Sequence, residues 1–170
     1  FFTENLSCFQ YLIKREDIDV NSGSYEDRDE NIFEVAFTEE SVKASTFQAV
    51  VCHSSFNPNS QMEEVFAGGL LYRPLQYAIQ CVMVDPVDDE EQNLPNADLK
   101  VSKIQIMLSK TDADPSLSTA DFSSPISLAC RALATSENEP EARERLHRIV
   151  TAIKQSHPDS VGHFRALGHF

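Results

Sequence analysis

The chain has 170 residues, 41% hydrophobic and 24% charged, which suits one globular domain whose core needs neither metal nor cross-links. A formal net charge of −13 excludes non-specific binding to phosphate backbones and disfavours anionic membrane surfaces. No apolar run approaches the ~18 residues of a spanning helix, and no charged and apolar leader with a small-residue cleavage site opens the chain. An opening Phe1-Phe2 in place of methionine points to a segment of a longer protein, and residues 1–170 read as a single domain.

In chain order, Thr3–Arg15 places Leu6, Phe9, Leu12 and Ile13 at helical spacing with Thr3 as a cap, although Phe9, Tyr11 and Ile13 also alternate. Asn21–Asn31 is polar and acidic and reads as a loop. Ile32–Phe37 alternates Phe33, Val35 and Phe37 against Ile32, Glu34 and Ala36, as a half-buried strand does. Thr46–His53 alternates in the same way, so a hairpin is expected from the pair. Ser54–Gln61 is a loop by its Asn-Pro and serine content.

Val65–Tyr72 carries Gly68-Gly69, the mark of a bulge or a close backbone approach. Arg73-Pro74 then breaks the run before Leu75–Val84, the most apolar and least charged stretch of the chain. Both its alternating faces are apolar, which predicts the central strand of a sheet. Pro86–Asp98 is an acidic loop, Lys100–Leu108 alternates once more, and Thr111–Ser124 is a Ser-, Asp- and Pro-rich loop. The last third is helical. Ser124-Pro125 opens one apolar helix, and Asn138, Pro140 and Glu141 open a second with an expected capping box. Ala142, Leu146, Ile149, Val150 and Ile153 form its inner stripe, Glu141–Arg145 and Glu144–Arg148 are i,i+4 pairs, and His157-Pro158 ends it. Val161, Phe164 and Leu167 add a final short turn.

Successive strands without helices between them imply an antiparallel sheet. The predicted fold class is α+β: four to five strands with an N-terminal helix and two C-terminal helices packed on the sheet. That element order resembles RWD-type interaction domains, in architecture only, since their proline-containing turn motif is not evident.

Motifs for chemistry are few. Cys8, Cys52, Cys81 and Cys130 lie in apolar segments without CxxC spacing, which points to buried reduced thiols and a cytoplasmic or nuclear setting. Adjacent residues of a strand point to opposite faces, so Cys52 and His53 are not expected to share a site. His147, His157, His163 and His169 lack metal-ligand spacing. Asp112, Asp114 and Ser116 start a calcium-loop pattern that fails at Leu117 and Ser123. Gly68-Gly69 matches no phosphate loop, and the acidic run Asp88–Glu91 reads as solvated. No catalytic residue, metal or cofactor is expected.

Residues 1–140 hold nine Lys and Arg against 24 Asp and Glu, and residues 141–170 hold five against three. Arg143, Arg145, His147 and Arg148 thus set positive charge on the last secure helix of an acidic chain, as candidate partner-binding residues. The expected function is a non-catalytic protein-interaction domain within a larger assembly. Its partner would dock an acidic segment on that helix or a basic segment on the acidic loops, with no nucleic acid, no membrane and the oligomeric state left open. Two alternatives stand beside it. One is an enzyme or small-ligand domain with a site assembled from scattered loops. The other is a secreted or viral structural domain, whose signs would be disulfides or a glycan at Asn5 in Asn5-Leu6-Ser7.

Overall fold

Among the described residues the regular elements are six α-helices and a short antiparallel strand pair: α1 (Ile32–Thr38), α2 (Ala44–Val51), β1 (Met62–Glu64), β2 (Leu70–Tyr72), α3 (Pro74–Met83), α4 (Leu94–Lys110), α5 (Pro125–Thr135) and α6 (Pro140–Ser156). The computed structural model describes residues 11, 13–21, 31–64, 70–83, 94–120, 122–136 and 139–159, with backbone alone at 63, 64, 70 and 94–96.

The expected α+β sheet of four to five strands is overturned, and the RWD-like element order falls with it. Ile32–Phe37 lies in α1, most of Thr46–His53 in α2, Leu75–Met83 in α3, and Lys100–Leu108 in α4. What remains of a sheet, among the described residues, is β1 against β2, antiparallel, with Met62 opposite Tyr72 and Glu64 opposite Leu70. The apolar run Val65–Tyr72 ends in β2, and its residues 65–69, with Gly68-Gly69, fall outside the described residues. So do residues 1–10, 22–30, 84–93 and 160–170, which include Cys8, the glycan pattern, most of the acidic loops, His163 and His169. Residues 13–21 are turns and irregular backbone, so the helix expected over Thr3–Arg15 does not reach Ile13.

Local chemistry explains why helices won. Asn31 caps α1: its Oδ1 accepts from the Glu34 N–H at 2.9 Å while Glu34 Oε2 accepts from the Asn31 N–H at 2.8 Å. This reciprocal box satisfies two donors that a helix start otherwise leaves orphaned. The side chains then bury at helical spacing, Phe33 with Ala36 and Phe37 in α1, and Phe47 with Val50 and Val51 in α2. Pro74 does not break a strand but starts α3, where its missing N–H costs nothing. Gln76 reinforces that start, accepting from the Arg73 N–H at 2.8 Å and donating to the Ser123 carbonyl at 2.9 Å. In α4 the buried positions Ala97, Val101, Ile104 and Leu108 repeat every three or four residues.

The two C-terminal helices form as expected, with Pro125 and Pro140 in their first turns and Leu146, Ile149, Val150 and Ile153 buried. The N-cap of α6 is Glu139, without a side-chain cap bond, and Asn138 of the expected capping box lies outside the described residues. Helix α4 lies at the centre, packed against α2, α3 and α6, while α5 covers α3 and α6. The core continues into an aromatic cluster around Phe33, whose ring centroid lies 5.5 Å from Phe56, 6.0 Å from Phe47, 6.2 Å from Phe37 and 6.4 Å from Tyr77. Among the described residues no helix is long and apolar enough to cross a membrane.

Candidate functional site

The carboxyl end of α2 meets the strap of residues 13–21 at an open groove of about 510 Å³. Ser45, Ala49 and Cys52 lie along one exposed stripe of α2, at i, i+4 and i+7, and form its floor. Ile13, Lys14 and Glu16 of the strap form one wall, and His53 and Ser54 close the end.

Cys52 and His53 do line one site, contrary to the expectation drawn from a strand. Cys52 is the C-cap of α2 and His53 follows in the turn, with its N–H bonded to the Val50 carbonyl at 3.1 Å. A helix end reverses the chain, so the opposite-faces rule of strands does not apply there. The imidazole is nonetheless committed elsewhere. His53 Nε2 donates to the Arg15 carbonyl at 2.9 Å, which fixes the proton on Nε2 because a carbonyl only accepts. Nδ1 then accepts from Ser55, whose Oγ lies at 2.8 Å and whose N–H lies at 3.2 Å. Ser55 Oγ in turn accepts from the Val20 N–H at 3.0 Å. His53 is therefore a clasp that ties the strap to the end of α2, and neither ring nitrogen is left to take a proton from Cys52.

Cys52, Cys81 and Cys130 are in no disulfide. Cys52 is exposed, which corrects its expected burial, while Cys81 and Cys130 are half-buried. Burial pushes the Cys130 thiol up from its ordinary value and outweighs the opposite pull of Lys154, so it stays protonated at neutral pH. Among the described residues no group of three or more His, Cys, Asp or Glu is placed to hold a metal. Asp114 folds back on its own loop, accepting from the Ser116 N–H at 2.8 Å and hydroxyl at 2.6 Å. Its neighbour Asn59 spans the same loop, donating to the Asp112 carbonyl and accepting from the Asp114 N–H.

The four residues expected to bind a partner on the last helix do not form one patch. Arg145 pairs with Glu141 at 3.5 Å, and Arg148 pairs with Asp98 of α4 at 2.5 Å in place of the expected Glu144. Arg143 and His147 are exposed. At about 100° per residue, Arg143, His147 and Lys154 fall within roughly 40° of one another, with Arg145 and Arg148 on the other flank. The sequence reading included Arg145 and Arg148 and missed Lys154, which the helical wheel of α6 brings into register. It missed the groove too, because nothing local to α2 announces that a distant strap will lie beside it.

Compared with known proteins, the chain matches no family model, no curated protein and no solved structure.

Proposed function

We propose that this chain is a non-catalytic protein-interaction domain working within a larger assembly, with a partner segment seated in the groove along α2. The observation that carries this reading is the character of the lining. Small-ligand and catalytic sites bring buried polar groups together around a reacting atom. Here Lys14, Glu16, Ser45 and Ser54 are exposed, Thr46 is a single buried polar side chain with no second one converging on it among the described residues, and the imidazole beside Cys52 is spent on Arg15 and Ser55. A floor of small side chains instead lets a partner's backbone approach the helix closely. Buried Ile13 offers an apolar contact, and Lys14 and Glu16 a polar rim.

The test is to block the floor. Ala49→Arg fills the groove from an exposed position, and Lys110→Ala is a control on exposed surface at the end of α4. Affinity capture from the native source should yield a species bound by the wild type and the control and lost from Ala49→Arg. A binding species indifferent to Ala49→Arg removes the groove from the proposal.

A second docking surface is favoured by Arg143 and His147, exposed one turn apart on α6, which would take an acidic segment by charge complementarity.

A further inference from the structure

We propose that the seating of the α1–α2 pair on α4 is pH-dependent through Lys103. The side chain is buried, with 1% of its surface exposed. Its Nζ donates to the carbonyls of Ala36 at 2.8 Å, Phe37 at 3.0 Å and Glu39 at 3.1 Å, which spends all three ammonium donors on the carboxyl end of α1. The ring of Phe47 from α2 lies 5.9 Å from the same nitrogen. One side chain from α4 thus reaches both helices of the pair, and among the described residues its ammonium has no carboxylate within ion-pair distance. A buried charge satisfied only by neutral partners keeps a large part of its desolvation cost.

The charged groups facing Lys103 are few. Lys100, one turn earlier on α4, repels it, and Glu39, from the turn between α1 and α2, attracts it. Helix α2 presents the Phe47 ring. Burial dominates and, with Lys100, pushes the ammonium down from 10.5 to about 8, against the pull of Glu39. The three carbonyls and the negative end of α1 favour the charged form, and the site is cationic at neutral pH.

The sign follows from linkage. In the seated state Lys103 releases its proton near pH 8, and in an opened state, with the side chain in water, it holds the proton to 10.5. Below about pH 8 both states are protonated, and seating is at its weakest and indifferent to pH. Between about 8 and 10.5 the opened state binds the extra proton, so seating strengthens as pH rises. The span amounts to roughly a 300-fold fall in the opening equilibrium. Because α2 also forms the groove floor, any consequence for partner capture rests on the function proposed above. The following experiment reads the seating itself and stands apart from that proposal.

Hydrogen exchange on the full chain from pH 7 to 9, normalised to the intrinsic rate at each pH, measures opening directly. The Glu39 N–H, bonded to Val35, and the Val42 N–H, bonded to Glu39, report on α1 and its turn. Interior amides of α6, at Ile149 and Val150, are the reference. In the wild type, protection at Glu39 and Val42 should rise about tenfold from pH 7 to 9 while α6 stays level. In Lys103→Met, which keeps the length and removes the titrating group, all of them should stay level. A flat wild-type profile, an equal rise in Lys103→Met, or an equal rise in α6 overturns the proposal. If Lys103→Met fails to fold, the comparison of α1 with α6 in the wild type still decides it.

Discussion

Introducing aspartate at two neighbouring positions of α1 separates the helical from the extended reading of the N-terminal half. Ala36 is fully buried between Phe33 and Phe37, whereas Val35 keeps part of its surface in water. Ala36→Asp forces a carboxylate into the packed core beside a Lys103 ammonium whose three donors are already committed, and a buried charge without a partner built for it costs about 3–5 kcal/mol after relaxation. Val35→Asp can turn its carboxylate outward. Its cost is the lost apolar contact plus weaker helix propensity, together about 1 kcal/mol. Against a total stability of about 5–15 kcal/mol for a domain of this kind, the first change is severe and the second tolerable. Urea unfolding followed by far-UV circular dichroism reads the difference. With a slope of about 2 kcal/mol per molar urea, Ala36→Asp should lower the midpoint by roughly 2 M and Val35→Asp by about 0.5 M. An alternating strand buries Val35 and exposes Ala36. Greater damage from Val35→Asp would therefore refute the helix.

Two further outcomes follow from the groove and the thiols. His53→Ala removes the clasp on the Arg15 carbonyl and Ser55, so the N–H of Val20 and its neighbours in the strap should exchange faster while the interior of α6 is unchanged; stability should fall by only about 1 kcal/mol, the worth of an ordinary hydrogen bond. At pH 7, iodoacetamide should modify exposed Cys52 well before Cys130, and because burial holds the Cys130 thiol above its ordinary range, its labelling should keep accelerating as pH rises beyond that value, as read by peptide mass mapping.

The C-terminal helices were legible because their signals agree. Pro125 and Pro140 stand at helix starts, and the inner stripe of α6 fits a period near 3.6 and no other. The first four helices were not legible, and their amino acids show why. In α3 nearly every position is apolar or half-buried, so alternation and helical spacing fit equally well. In α1 the set Phe33, Val35 and Phe37 competes with Phe33, Ala36 and Phe37, and only the cap pair Asn31 and Glu34 decides between them. In α4 a window opening at Lys100 shows alternation, and extending it to Ala97 shows the helical repeat. Short helices buried on more than one side lack the polar face that makes a helix readable. The groove depended on the same error: a strand at Thr46–His53 would have parted Cys52 from His53, and a helix end joins them. Lys103 reads as solvent-facing in sequence because lysine is seldom buried, and only the packing of α1 against α4 supplies its three carbonyls.

The groove along α2 as a docking surface is tested most directly by the accessibility of Cys52 within the native assembly. The assembly is isolated intact, pulsed with N-ethylmaleimide and digested, and the modified fraction at Cys52 is compared with that of the free chain, with Cys81 as internal reference. A seated partner should slow modification of Cys52 by tenfold or more and leave Cys81 unchanged. Equal rates at Cys52 in the free and assembled protein would contradict the account.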